Sequence, residues 1–338
     1  MKIAMLFAAS VVTFAQAPPP LSNAHLETRA FKGDLSAEFR GGPPEWIGYQ
    51  IKAMKKDESC CWSDSNRGCW LEGSSGHRGE VHSDRPIALE GSDQAAVLFR
   101  VANNHIEKIQ VFSMSCALDA GGLPFVWLTG VPAQASLAEL NGLVTTNESE
   151  KVTDGAVFAI SQHDDSQADS LLSQLAAPNH PEHLREKVSF WLGSARGAAG
   201  VKTLQQMFKS DPSSEVRDKV VFALSISKRP EGIDTLIEAA KTDPSAHVRS
   251  QAIFWLAQKA GKQAEAAITN AIQNDPDREV KKKAVFALTQ LPKDDGVPKL
   301  IEVARTQRNP EVRKQAFFWL GQSGDPRALA YIEQVLEK

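Results

Sequence analysis

Side chains able to do chemistry are thinly spread in this 338-residue chain. Its eight histidines are His25, His77, His82, His105, His163, His180, His183 and His247, and none is followed by Glu. His180-Pro181-Glu182-His183 sets two imidazoles three apart at a helix start, which could grip a metal if Asp164 or Asp165 supplied a third ligand. A solvated loop is the simpler reading. Ser225-Ile226-Ser227-Lys228 matches the Ser-x-x-Lys nucleophile motif, but its Ser-Asp-Asn companion is missing and it falls at a helix end. Gly73-Ser74-Ser75-Gly76 could cradle a phosphate only if a helix followed to supply N–H donors, and no helical pattern does. No catalytic set, metal or cofactor is expected.

Cys60, Cys61, Cys69 and Cys116 are the most concentrated chemistry, and the chain beyond them has none. A zinc knuckle needs two to four residues between its cysteines, so an adjacent pair fits it poorly. Two disulfides are expected instead. Cys60 and Cys61 strain the peptide if bonded to each other, so each reaches a different partner and one of them closes onto Cys116, which leaves two arrangements open.

Disulfides need an oxidising compartment, and the first residues provide for one. Lys2, the apolar run from Ile3 to Phe14, and Ala15-Gln16-Ala17 have the order of an export signal over residues 1–17. The run is too short to span a bilayer, and no later stretch resembles a membrane helix. A cut after Ala17 leaves Pro18 at the new terminus, which signal peptidases handle poorly, so the expected site shifts by one or two residues. The protein is expected outside the cytoplasm, periplasmic or extracellular.

Lys plus Arg number 38 against 41 Asp plus Glu, a net charge of -3. From Asn147 onward the two signs balance at 26 each. No basic field attracts a polyanion, so nucleic acid is not an expected partner, and Lys281-Lys282-Lys283 alone reads as a solvated face.

Residues 18–131 read as a small disulfide-stapled α+β module. Ala96 to Val101 and Ile106 to Phe112 are strand-like, and Asn103-Asn104 between them suits a hairpin turn. Trp46, Trp62, Trp70 and Trp127 are expected mostly in its core.

Residues 132–338 obey a 32-residue ruler. Phe158, Phe190, Phe222, Phe254, Phe286 and Phe318 recur at that interval. Six residues ahead of them stand Val152, Leu184, Val216, Val248, Val280 and Val312, followed in the last five copies by Arg185, Arg217, Arg249, Lys281 and Arg313. Leu140, Leu172, Leu204, Leu236, Ile268, Leu300 and Ile332 form a second ladder. Asp211-Pro212, Asp243-Pro244, Asp275-Pro276 and Asn309-Pro310 separate the ladders with capping and helix-starting residues. Each unit is a helix pair that cannot bury its apolar faces alone, so about six pairs stack as an all-α superhelical solenoid with one closing helix. That helix, 327–338, is expected to turn polar positions to water.

The Pro-x-x-x-Val-Arg-x-x-Ala-x-x-x-Leu pattern, from Pro244 to Leu256 and from Pro276 to Leu288 with Lys281 for Arg, resembles HEAT repeats. The short HEAT-like or phycobilisome-lyase-type branch is the nearest match, in an exported bacterial form. The resemblance implies that the Val-Arg helices line a concave face and that the protein is a scaffold for protein partners. The His-Glu pairs that hydroxylases on this repeat would need are absent, and nothing in the array suggests bilin-lyase chemistry.

At about 100° per residue, Phe sits about 240° from the leading aliphatic, away from the core stripe. The six rings are therefore candidate partner-binding residues, against the alternative that neighbouring repeats pack them together. The next position alternates Ala and Trp, which suggests large-into-small interlocking between units. The recurrent Arg is expected to bond a loop acid such as Asp211 or Asp243, or a helix-end carbonyl. The expected function is an exported, non-catalytic adaptor binding a protein or peptide on the concave face. The alternative is an enzyme with its site in the first module, near Trp62, Trp70 and Asp119-Ala120-Gly121-Gly122, or at its junction with the array.

Overall fold

The computed structural model describes residues 16–40, 42–54, 60, 69–73, 93–146, 149–259 and 261–337. Most of the leader, Cys61, Trp62, the loop from Ser74 to Gly76, His77 and His82 lie outside them. The chain divides into two compact units, 1–168 and 169–338. The first helix pair, grouped with the array by its period, lies in the first unit.

That unit is built from β1 (Leu21–Ser22), β2 (His25–Ala30), the short α1 (Leu35–Glu38), β3 (Glu45–Lys52), β4 (Cys69–Trp70), β5 (Gln94–Ala102), β6 (His105–Ser113), β7 (Leu118–Asp119) and β8 (Pro124–Thr129). A five-stranded mixed sheet runs β2-β8-β3-β5-β6, and a small parallel sheet runs β1-β7-β4. The expected hairpin is β5–β6. Asn103 and Asn104 both take positive φ, 52° and 62°, which gives the two-residue turn the twist that strands require.

Alternation along the strands sorts the two faces. Trp46, Leu98, Phe112, Phe125 and Trp127 share one core with Cys69, Leu71, Cys116 and Leu118 of the small-sheet region. Gly48 sits among them because a Cβ there would lie 2.5 Å from Leu98 and 3.2 Å from Trp127. Of the four tryptophans expected mostly in this core, Trp46 and Trp127 are fully buried, whereas Trp70 is 41% exposed. The Trp127 indole donates to the Gln16 carbonyl at 2.8 Å, which ties Gln16, two residues ahead of Pro18, to this core. Cys60 is bonded to Cys116 across 56 residues, and Cys69 is disulfide-bonded too.

The helices α2 (Ala133–Thr146) and α3 (Glu150–Gln162) complete the first unit. Helix α3 lies so close to β6 that a Cβ on Gly155 would come within 2.8 Å of the Ile109 carbonyl. Between sheet and helices runs a buried relay in which Tyr49 Oη meets Ser136 Oγ at 2.7 Å and Ser136 Oγ meets His163 Nε2 at 2.9 Å. His163 Nδ1 faces the Ala159 carbonyl at 2.8 Å. That carbonyl can only accept, so Nδ1 carries the proton, Nε2 accepts from Ser136 and Ser136 accepts from Tyr49. Burial pushes the Tyr49 hydroxyl far above its ordinary pKa, which keeps the donor end of the relay protonated.

The remaining helices are α4 (Ser166–Leu175), α5 (Glu182–Ala195), α6 (Gly197–Ser210), α7 (Ser214–Ile226), α8 (Glu231–Thr242), α9 (Ala246–Lys259), α10 (Gly261–Asn274), α11 (Arg278–Leu288), α12 (Lys293–Thr306), α13 (Pro310–Gln322) and α14 (Pro326–Leu336). Of the four starts read from the sequence, only Asn309-Pro310 caps and begins a helix. Asp211 and Asp243 instead end the preceding helices and, with Asp275, accept from arginines. The caps of α7 and α11 therefore fall two residues later, on Ser213 and Asp277, and Asp325 caps α14. The second helices stack in series, α5 on α7, α7 on α9, α9 on α11 and α11 on α13. Among the described residues, α2 to α13 make six helix pairs and α14 is a closing helix. The closing helix departs from expectation: α14 leaves Leu329, Val335 and Leu336 exposed, Leu336 by 80%. A 3.6-residue period on a helix packed on one side leaves its outer positions in solvent whatever their polarity.

Candidate partner-binding ridge

The core stripe of each second helix is aliphatic and dry. In α7, Val216, Val220, Val221, Ala223 and Leu224 are buried, and Phe222 projects from the opposite arc, half-buried. The same holds along the second unit. Phe190 is 38% exposed and Phe318 53%, while Phe254 and Phe286 are half-buried. Phe158 is half-buried in the first unit.

These rings touch one another without closing off the surface. Phe190 stacks on Phe222 with centroids 6.3 Å apart and planes 17° from parallel. Where Trp replaces Ala, the indole bridges two units: Trp255 lies 5.1 Å from Phe222 and 4.9 Å from Phe254, and Trp319 lies 5.0 Å from Phe286 and 4.9 Å from Phe318. Trp191 meets Phe190 edge-on at 4.8 Å. The large-into-small expectation is thus modified. Ala223 and Ala287 are fully buried, whereas the tryptophans reach outward and join the phenylalanines in two aromatic clusters on the same helix arc, one of Phe190, Trp191, Phe222, Trp255 and Phe254, the other of Phe286, Trp319 and Phe318. Each such ring contact contributes about 0.5–1.5 kcal/mol beyond burial, so the ridge is held in shape before anything docks on it.

Beneath the ridge the recurrent arginines do what their spacing suggests. Arg185 donates from Nε and Nη2 to the two oxygens of Asp211 at 2.7 and 3.0 Å. Arg217 does so to Asp243 at 2.7 and 3.1 Å, and Arg249 to Asp275 at 2.7 and 2.9 Å. Their Nη1 groups donate to loop carbonyls, Arg217 to Asp211 O and Arg249 to Asp243 O. Each Asp also receives a backbone N–H two residues on, from Ser213, Ser245 and Asp277. The rungs are buried, and the hydrogen bonds that Arg185 donates to Asp211 raise its pKa still further. One rung changes both members together: Lys281 replaces the Arg, and Gln307 stands 26 residues later where an Asp would be. Lys281 then donates to Gln273 O at 2.9 Å and Gln307 to Ile272 O at 2.9 Å.

At the end of the ridge, Leu288, Leu291, Val297, Leu300 and Trp319 line a pocket of about 260 Å³ with Lys293, Gln322 and Ser323 at its polar edge. The Trp319 indole nitrogen is buried and has no hydrogen-bond partner among the described residues. An unmatched buried donor costs about 1–3 kcal/mol. No motif in the sequence announces this pocket.

The other candidates do not assemble into chemistry. His183 is exposed, the His180 carbonyl accepts from Arg185, and among the described residues no three His, Cys, Asp or Glu side chains gather as metal ligands. Ser225 is buried and donates to Phe222 O at 2.6 Å while Lys228 is exposed. Ser136 and His163 meet at hydrogen-bond distance, but each is 1% exposed, so the pair joins sheet to helices. The hollow beside Trp70, lined by Asn23, His25, Asp119, Gly121 and Gly122, is open and about 750 Å³. Among its described lining residues the carboxylate is Asp119, which already accepts from Asn23 Nδ2 at 2.7 Å and from Gly121 N at 2.8 Å.

Stacked antiparallel helix pairs with a buried Arg–Asp ladder and a common period define a helical-repeat protein. A model of HEAT repeats matches residues 169–257 and 264–338, and the chain belongs to the HEAT-repeat family. No curated protein matches it closely enough to count as a relative. Among solved structures, human deoxyhypusine hydroxylase in complex with glycerol is 17% identical, with a TM-score of 0.32 over 60% of this chain and 91% of its own. The complex of CpcE and CpcF of phycocyanin lyase from Nostoc sp. PCC7120 is 23% identical, with a TM-score of 0.35 over 46% and 98%. Kap95p with RanGDP is 17% identical, with a TM-score of 0.40 over 61% and 32%. Likenesses this distant carry no argument about activity or partner. Among the described residues, no helix is long and apolar enough to cross a membrane.

Proposed function

We propose that this chain is an exported, non-catalytic adaptor whose HEAT array holds a protein or peptide partner along the aromatic ridge on its concave face. The carrying observation is that the same outward position holds Phe in every repeat, with Phe190 and Phe318 well exposed. A ring in solvent gains by covering, and each Phe can bury about 150–250 Å². Exposed Lys219 and Lys283 stand three residues before Phe222 and Phe286, one helical turn away, so the favoured partner segment combines apolar or aromatic side chains with acidic ones.

The test is a selection of peptides displayed on phage against the full chain, followed by affinity measurement. Selected peptides are expected to lose about tenfold or more on F190A/F222A and on F286A/F318A, with far-UV circular dichroism unchanged. Failure to select any peptide, or peptides indifferent to both pairs, overturns the reading.

Export is supported by the leader and by the Cys60–Cys116 disulfide, a bond suited to an oxidising compartment. Gln16 refines the cut. Cleavage ahead of it keeps the acceptor of the buried Trp127 indole, whereas cleavage after Ala17 removes it. The mass of the secreted protein is expected to begin at Gln16; a mature form beginning at Pro18 contradicts this.

A further inference from the structure

The hollow beside Trp70 is lined by Asn23, Ala24, His25, Trp70, Asp119 and the Gly121–Gly122 turn, and every one of these residues reaches solvent. Ala24 and Asp119 are half-buried, the others exposed, Trp70 by 41%. The small parallel sheet sets the arrangement. Its register pairs Trp70 with Asp119, so indole and carboxylate leave neighbouring strands on the same face. Asn23 follows β1 at φ 46°, Gly121 and Gly122 follow β7 at 67° and 83°, and Gly122 N donates to Asn23 O at 2.7 Å, which fastens one turn to the other. A Cβ on Gly121 would meet Glu72 Cγ at 2.7 Å and stand 3.6 Å from Trp70 Nε1, so the indole edge lies close against this turn.

The polar groups are held in place without being used up. An ionised carboxylate has about four acceptor positions, and Asp119 commits one on each oxygen, to Asn23 Nδ2 and to Gly121 N. The Asn23 amide has a second hydrogen and a carbonyl oxygen beside them. Acceptors next to a donor suit neighbouring hydroxyls, each of which gives one hydrogen bond and takes another, and bonds to an ionised acceptor are the stronger kind. The slightly positive C–H face of a sugar ring suits the negative face of an indole. A quaternary ammonium group needs a cage of several aromatic rings, whereas here polar groups face one indole, and an anion would meet the charge of Asp119.

We infer that this hollow binds a carbohydrate. A pyranose ring lies on Trp70, neighbouring hydroxyls donate to the remaining positions of Asp119, and one hydroxyl accepts from Asn23 Nδ2. The site is separate from the aromatic ridge and does not depend on it.

The experiment titrates the full chain, labelled with ¹⁵N at its indoles, with the methyl α- and β-glycosides of glucose, mannose, galactose and N-acetylglucosamine. At least one is expected to move the Trp70 indole resonance, assigned with W70F, saturably. W70A, a change at an exposed ring, is expected to weaken that sugar about tenfold or more, while W70F retains most of the affinity. N23G keeps the positive φ but removes the amide, and is expected to weaken it about threefold to tenfold. F190A/F222A and F286A/F318A are expected to leave it unchanged. A Trp70 resonance that no glycoside moves, a sugar indifferent to W70A or to N23G, or one lost with the ridge phenylalanines overturns the inference. Tetramethylammonium moving the resonance where no sugar does overturns it in favour of a cation.

Discussion

A buried guanidinium between two loops is costly unless every donor is matched, and the Arg–Asp rungs match theirs with a carboxylate and a loop carbonyl. Removing Arg249 leaves Asp275 buried without its counter-ion, so R249A is expected to cost about 3–5 kcal/mol in chemical denaturation. The double change R249K/D275Q copies the rung at Lys281 and Gln307 and is expected to cost clearly less; equal loss would show that the rung is worth no more than its packing. Glu72 gives the residue-scale pH dependence. Burial raises its pKa, but hydrogen bonds from Arg100 and Trp46 outweigh that and hold it below the ordinary glutamate value. A depressed carboxylate contributes stability that is complete above its unfolded pKa, near 4.3, and is lost as pH falls through the lower folded value. Below pH 4 the first unit is therefore expected to lose stability, and E72Q to flatten that part of the profile. A native profile already flat there would refute the assignment.

Helix pairs close at glycines that recur with the period. Gly200, Gly232 and Gly296 pack on the carbonyls of Leu192, Leu224 and Leu288, and Ala264 occupies the same place in the intervening repeat. A Cβ would lie 3.2 Å from the carbonyl at Gly232 but only 2.3 Å at Gly296. G232A is expected to be nearly neutral, as the natural Ala264 suggests, whereas G296A is expected to lose about 1–3 kcal/mol through overpacking. Thermal denaturation of the two variants side by side decides the matter. The helices themselves were readable in the chain from the apolar period, although at Asp211, Asp243 and Asp275 the Asp bonds an arginine and the following helix starts beyond the Pro. What the helical wheel missed was the direction of the tryptophans. Trp255 lies near the edge of the core stripe by angle, yet its ring turns outward to Phe222, because the buried site holds only a methyl-sized residue in the neighbouring units.

For the whole molecule the cysteines are confined to the first unit and the period to residues beyond 131, with 169–338 forming a unit free of cysteine. Reduction should therefore act on one unit only. Hydrogen exchange is expected to show β5 and β6 losing about 2–4 kcal/mol of protection on reduction while α7 and α9 keep theirs. Loss in both units would mean that they do not unfold separately. The sequence alone determined the array, its period and the recurrence of the arginines beside the loop acids, because a short unit repeated with fixed spacing meets the same neighbours each time. Tertiary structure decided the Cys60–Cys116 pairing, the buried Tyr49–Ser136–His163 relay and the Trp319 pocket. Each depends on which distant side chains share a space, which no single position in the chain records.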